Sequence, residues 1–536
     1  MRGCRYHSTV LTDPVLRAVR RALALLGWAT LSSLALAAPA GPAAPQQAEL
    51  PQLGDAARED LTPVLERRLG EEIMRDIRRD RDYLDDDVLI EYLNQIGNNL
   101  VAARPGARGD ANFDYFFFAV RDPAINAFAL PGGFIAVHSA LLLAAQNESE
   151  LASVLSHEIG HVAQRHIARM LGQQRQDALI PLAAMVLAVL AARSSQTASD
   201  VPIGVLMGGQ GLAIQRQLNF SRDAEREADR VGFQIMTASG FDTSGMVAFF
   251  GRLQTAMRVY SDVPSWLLSH PLTQERIADM QARIREAPYR QRADSIDFHL
   301  ARARTRVLQD TSDAALSETR KFFETQLQQE SRQQKTAAQY GLACLALQRG
   351  QLAEAQQWLD AAQTTYAKPR PGVLSAAASD SDAGAIFALT ALEVKLAPGQ
   401  PPAVLAAALD EARAAHARYP LARGIARRLA DALYANGRYE EAAAYLRDQV
   451  QQYRSEPKLH DALAKTYAAQ GKIALQHLSL AESYVLQGGT MAALDQLALA
   501  RKAPDATFYD QAIIDARERE LLARRKEEMK EKKQNG

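Results

Sequence analysis

The stretch "LSHEIGHVAQRH", Leu155 to His166, sets His157 and His161 four residues apart, with Glu158 beside the first. On a helix, positions i and i+4 share a face, their Cβ atoms about 5–6 Å apart. Two imidazole nitrogens can then converge on one metal ion. Glu158 would sit beside that ion without ligating it, placed to take a proton from bound water. A solvated His/Glu helix face is the plainer alternative. A catalytic zinc needs a third protein ligand and one open position. The acidic segment "NFSRDAEREADRVGF", Asn219 to Phe233, offers Glu225, Glu227 and Asp229. Glu225 and Asp229 are also spaced i, i+4 and share a face on a helix, but the residues alone do not choose Glu225 over Glu227 as the ligand.

The elements around these residues must position them. From about Asp60 to Leu100 the pattern is helical. An aromatic β segment follows, "FDYFFFAV" (Phe113–Val120), and then "NAFALPGGFIAVHSALLL" (Asn126–Leu143). Its Pro-Gly-Gly marks a tight turn between two short strands. Asn147 can cap the next helix, with Glu150 at the capping-box position. That helix carries the histidines. The strand region Phe128–Ile135 is expected to offer an edge on which an extended substrate adds as a strand. His270, in "SWLLSHPLTQERIADM", precedes Pro271, which suits a helix's first turn and puts His270 at a loop-to-helix junction.

The chain of 536 residues is too long for one core, and Lys+Arg and Asp+Glu both number 62. A balanced charge gives no nucleic-acid footprint. Residues 1–38 hold five arginines against Asp13, then the apolar "ALALLGWATLSSLALAA" and an A-x-A site. This reads as a Sec signal peptide cut near Ala37 or Ala38, leaving a mature chain of about −4 net charge. Residues 39–54 read as a Pro/Ala-rich linker. Cys4 leaves with the signal, and Cys344 alone makes no disulfide and no multi-cysteine zinc site. The apolar run Ala178–Ala192 is short of the ~20 residues a membrane span needs. A buried core helix, a mobile lid and a peripheral membrane contact are all open to it. If it spanned, the protein would be an integral-membrane protease.

The C-terminal part repeats. Leu342-Ala343, Gly350, Ala355 and Leu359 share a template with Leu429-Ala430, Gly437, Ala442 and Leu446. Leu463-Ala464 and Gly471 follow 34 residues on, and Ala481, Gly488, Ala493 and Leu497 fit once more. Degenerate copies are expected over Ala314–Gln333 and Ile386–Tyr419. The period and the small residues resemble the tetratricopeptide repeat, whose stacked helix pairs form a protein-binding solenoid. The last residues, 516–536, alternate in charge and read as a solvated helical tail.

His157-Glu158-x-x-His161, Glu225-x-x-x-Asp229 within S-R-x-x-E-x-x-A-D-x-x-G, and the upstream "NAFALPGGFI" together resemble the gluzincin metallopeptidases of the HtpX and CAAX-prenyl-endopeptidase family. The resemblance covers roughly Asp60 to Leu308. With a signal peptide before it and repeats after it, the whole chain resembles one subgroup of that family, the bacterial periplasmic type. The resemblance implies a mainly α fold with a small β-sheet: a zinc peptidase domain over 55–310, then an all-α repeat domain over 311–515. It implies one zinc per chain, held by His157, His161 and Glu225. Glu158 would be the catalytic base and Asp229 the carboxylate that orients a ligating histidine. It also implies that His270 reaches the metal, either as a regulatory fourth ligand or, swung out, as a donor to the oxyanion. The implied partners are the outer-membrane barrel-assembly machinery and unfolded or stalled barrel proteins. The implied role is a periplasmic endopeptidase in assembly and quality control of outer-membrane proteins, degrading misassembled barrels. A non-proteolytic chaperone or scaffold with a latched metal site is the rival reading.

Overall fold

Helix α1 (Pro63–Ile77) begins where Thr62 accepts a hydrogen bond from Leu65 N and Pro63 supplies a preset φ. In the computed structural model, residues 61–173, 222–259, 266–267, 270–288, 290–329, 331–368 and 383–534 are described. The expected signal peptide, the linker, the run Ala178–Ala192 and its Gly-rich successor lie outside them. Strand β1 (Tyr83–Leu84) and helix α2 (Asp87–Ala103) follow, with Asp86 capping α2 at Leu89 N. Strands β2 (Phe116–Val120), β3 (Ala127–Leu130) and β4 (Phe134–His138) complete a four-stranded sheet of order β1-β2-β4-β3. β2 and β4 run parallel, and the two outer pairings are antiparallel.

The period-2 alternation of a strand explains the triple phenylalanine. Phe117, Ala119, Ile135 and Val137 join the main core with α2. Phe118, Val120, Phe134 and Ala136 face the other way, against Ile73, Met74 and Ile77 of α1. Both faces are covered, so β4 is buried at all five positions.

Helices α3 (Ser139–Ala144), α4 (Glu148–Ala163), α5 (His166–Gln173), α6 (Arg222–Ser239), α7 (Ser244–Val259), α8 (Gln274–Glu286) and α9 (Ile296–Gln309) build the rest of this half. Every residue of α4 is buried. Polar groups on it must therefore find partners inside the protein.

Beyond α9 the described chain is helical: α10 (Asp313–Gln326), α11 (Arg332–Gln348), α12 (Leu352–Ala367), α13 (Gly384–Lys395), α14 (Pro402–Arg418), α15 (Arg423–Ala435), α16 (Tyr439–Gln452), α17 (Pro457–Ala469), α18 (Ile473–Leu486), α19 (Thr490–Lys502) and α20 (Phe508–Gln534). The repeated residues do the same work in each copy. Gly350, Gly437, Gly471 and Gly488 all take a left-handed φ of 69–76°. Each lets the next N–H bond back to a carbonyl five residues earlier, as Gln351 does to Ala346 and Lys472 to Tyr467. Ala355, Ala442 and Ala493 are fully buried, with Leu359, Leu446 and Leu497 beside them in sequence and equally enclosed. The charged residues from 516 to 534 continue α20, which Ile514 and Leu521 anchor in the last core cluster.

Helix α9 belongs to two cores. Phe298 and Ala301 pack with the sheet-bearing half. Ile296, Leu300, Ala303 and Val307 pack with α10 and α11. Arg304, on the same helix, donates to Asp86 at 2.7 Å and to Glu393 on α13 at 2.9 Å. Helix α15 docks on the start of α2, where Arg427 meets Asp87 at 2.6 Å and Gly424 N donates to Glu91 at 2.6 Å. No helix among the described residues is long and apolar enough to cross a membrane.

Candidate metal centre

Asn147 starts α4 as expected, accepting from Glu150 N at 3.0 Å. The return bond of the capping box is shifted by one residue. Glu150 Oε2 accepts from Gln146 N at 2.7 Å, and Arg252 Nη2 donates to the same oxygen at 2.6 Å. Further along, α4 and α6 touch backbone to backbone. A Cβ on Gly160 would fall 2.8 Å from the Ala228 carbonyl oxygen, and one on Gly232 would fall 3.0 Å from the Ser156 carbonyl carbon. Two glycines thus set how closely the acidic helix approaches the histidine helix.

At that crossing four side chains converge. His157 Nε2 and His161 Nε2 lie 3.0 Å apart. Glu225 Oε2 is 3.5 Å from the first and Oε1 is 3.4 Å from the second. His270 Nδ1 comes within 3.3 Å of His157 Nε2 and 3.0 Å of Glu225 Oε1. The four ligand atoms lie within 4.8 Å of one another, and all four residues are buried. A tetrahedral ion with bonds of about 2.0–2.2 Å separates its ligand atoms by about 3.3–3.6 Å. The spacing fits. So do two buried carboxylate oxygens, Glu158 Oε2 and Glu225 Oε2, that accept no hydrogen bond.

The ligand-bearing side chains are held from behind. Asp229 Oδ1 takes the Nδ1 proton of His157 at 2.9 Å. Arg276 clamps the same carboxylate through Nε at 2.6 Å and Nη2 at 2.8 Å. Its Nη1 stands 2.8 Å from Glu225 Oε2 but donates to the Pro271 carbonyl, so Glu225 receives charge rather than a hydrogen bond. Trp266 Nε1 donates to Glu158 Oε1 at 3.3 Å and its ring stacks on His270. Behind His161, His166 Nδ1 lies 2.9 Å from His161 Nδ1, and its Nε2 lies 3.1 Å from Glu227 Oε2.

Burial and charge set the protonation of this cluster. Burial alone would depress His157, yet the hydrogen bond with Asp229 and the nearby Glu225 carboxylate lift it to about 9. Burial drives His161 well below the usual imidazole value. Glu225 is desolvated too, but His270, His157 and His161 hold it well below the ordinary carboxylate range. Burial raises Glu158. The carboxylates that favour a proton on His157 equally favour a cation between the ligand atoms.

His157, Glu158, His161, Glu225, Asp229 and His270 are all in this one place. Glu225 faces the histidine pair, whereas Glu227 turns toward His166. His270 is not at a helix start, however. Helix α8 begins at Gln274 behind Thr273, whose hydroxyl accepts from Arg276 N at 3.2 Å, so Pro271 stands outside it. Sequence reading missed Arg276, Trp266 and His166 as parts of the site, and weighed Glu227 only as a rival ligand to Glu225. His166 closes the quoted histidine stretch and Arg276 follows His270 by six residues, so both were in view. Nothing marked Trp266.

A short sheet, a buried helix bearing His-Glu-x-x-His and a second helix bearing the glutamate define a metalloendopeptidase. The profile of peptidase family M48 matches residues 90–284. Two relatives are each called beta-barrel assembly-enhancing protease. The Escherichia coli K12 protein is 32% identical over 87% of this chain and 90% of its own length. That of Yersinia pestis is 31% identical over 91% of this chain and 96% of its own. A mitochondrial metalloendopeptidase OMA1 of Schizosaccharomyces pombe is 28% identical over 37% of this chain and 53% of its own length. The chain belongs to peptidase family M48.

Proposed function

We propose that this chain is a zinc endopeptidase of the periplasm that serves outer-membrane barrel assembly and degrades misassembled barrel proteins. The observation that carries the chemistry is the convergence of four buried ligand atoms on His157, His161, Glu225 and His270. The donor set, imidazoles with one carboxylate, suits zinc. His157, His161 and Glu225 would hold the ion, with Asp229 orienting His157. When bound, zinc supplies a Lewis acid that acidifies its water and polarises the scissile carbonyl. Glu158 takes the proton of the attacking water and passes it to the leaving amine. An extended substrate lies along the outer edge of β3, which pairs with β4 on its other side only, among the described residues.

The barrel-assembly role is supported by the names of the Escherichia coli and Yersinia pestis relatives, which match nearly end to end. The periplasmic location is supported by the signal-peptide pattern of residues 1–38. Residues 55–310 form the peptidase domain, 311–515 a tetratricopeptide-type repeat domain that docks the assembly machinery and its clients, and 516–536 the charged tail. One observation favours a second reading, a chaperone with a latched site. His270 Nδ1 stands among the other ligand atoms, where it would fill the position that water needs. In the working enzyme His270 is a reversible latch.

The decisive variant is Glu158→Gln. Purified protein is expected to carry about one zinc, and the variant keeps it while casein cleavage falls about 10²–10⁴-fold. Cleavage at the wild-type rate would refute the mechanism.

A further inference from the structure

We propose that His166 and Glu227 are the positioning pair for His161, a histidine–histidine–carboxylate chain that fixes the tautomer and direction of this metal-ligating ring. The inference rests on the reading of His161 as a ligand and extends it to residues with no role so far.

The hydrogen-bond directions leave one self-consistent arrangement. His161 Nε2 faces His157 Nε2 and Glu225 Oε1, so a lone pair must point there for ligation. The proton of a neutral His161 then sits on Nδ1. That nitrogen lies 2.9 Å from His166 Nδ1, which accepts. His166 in turn carries its proton on Nε2 and donates it to Glu227 Oε2 at 3.1 Å. Arg169 Nη2 donates to the same carboxylate oxygen at 2.6 Å. His157 has the parallel arrangement with one link fewer: Asp229 accepts directly from it, and Arg276 neutralises Asp229. Both ligands therefore lean on a carboxylate capped by arginine, and His161 reaches its own through a second imidazole.

The backbone is bent to make this contact. Arg165 takes a φ of 51°, left-handed and unfavourable for a side chain of its kind. It ends α4, so His166 starts α5 and faces back toward His161 rather than continuing the helix away from it. The kink is held by Arg165 itself, whose Nε donates to Glu66 Oε2 at 2.9 Å and whose Nη2 donates to the Leu61 carbonyl. His166 is 2% exposed, so water cannot stand in for it easily.

The partner behind a metal-bound histidine typically governs metal affinity by about 10–100-fold. The test is zinc affinity of the purified full chain, measured by competition with a chromophoric chelator, alongside circular dichroism of the metal-stripped protein. His166→Leu keeps bulk but has no acceptor, and it is expected to lose affinity by about 10–100-fold. His166→Asn places Oδ1 where Nδ1 was but has no Nε2 to reach Glu227, so its affinity is expected to fall by no more than about tenfold, clearly less than that of the Leu variant. Equal affinities for the Leu and Asn variants would overturn the proposal. Should His166→Leu fail to fold, Glu227→Ala decides: about tenfold loss is expected, and unchanged affinity overturns it. Wild-type protein that binds no zinc would instead overturn the reading of the site itself.

Discussion

Arg304 ties both halves of the molecule together, and removing it has a calculable cost. Its side chain is buried, with Nε bonded to Asp86 on one side and Nη1 and Nη2 bonded to Glu393 at 2.9 Å on the other. Arg304→Ala leaves two largely enclosed carboxylates without the guanidinium between them, and only Glu393 still feels other cations, Arg427 and Arg428. Breaking a buried pair costs about 3–5 kcal/mol. The two losses do not double, because a desolvated carboxylate escapes by taking a proton. Burial already raises Asp86 in the intact protein. Burial also pushes Glu393 up, but Arg304, aided by Arg428 and Arg427, more than offsets this and holds it below the ordinary range. Removing Arg304 takes away the main cause opposing burial at both carboxyls, so both folded-state pKa values are expected to rise, Asp86 further above its unfolded value. The neutral form is then favoured more in the folded state, so the loss is smaller near pH 5 than near pH 8. Two tryptophans read the halves separately: Trp266 in the sheet-bearing core and Trp358 against the repeat core. Urea unfolding of Trp266→Phe and Trp358→Phe backgrounds should give coincident transitions, displaced together by Arg304→Ala. A change confined to one probe, or one under about 1 kcal/mol as for an exposed ion pair, would refute this account.

Other outcomes follow from the same geometry. Gly160→Ala must push α4 and α6 apart at about 1–3 kcal/mol, and chelator competition should show metal affinity falling with peptidase activity. Asp229→Ala frees His157 and strands Arg276, with about 10–100-fold weaker metal binding expected by the same competition. Stripping the metal with a chelator should lower the melting temperature, since a free ligand at 100 times its Kd contributes about 2.7 kcal/mol. If β3 receives substrate as a strand, a designed extended peptide is cleaved while a folded domain survives; equal cleavage of both counts against that edge.

The histidine pair was legible because helix geometry alone places residues four apart on one face. Asn147 was legible for the same local reason. Glu225 over Glu227 was not, since both lie on α6 and the choice depends on how α6 sits against α4. That packing is set by Gly160 and Gly232, two residues that carry no side-chain signal. The shifted capping bond of Glu150 depends on Arg252, 102 residues away. Phe116, Phe117 and Phe118 read as strand, but not that both faces would be covered. The repeats were legible from their glycines and alanines, which act within one turn and one helix crossing. That α9 is shared between two cores was not legible. An apolar pattern shows which positions of a helix are buried, and not that two different cores bury them.

That shared helix has a mechanical consequence. Only Asp310, Thr311 and Ser312 separate α9 from α10, and α15 bears directly on α2. A force on the far helices is therefore not absorbed by a slack tether. It arrives as torque on α9 and α2, the helices beside the sheet whose β3 edge lies next to the metal helix. The repeats can act as a lever arm, and the peptidase as the load it turns.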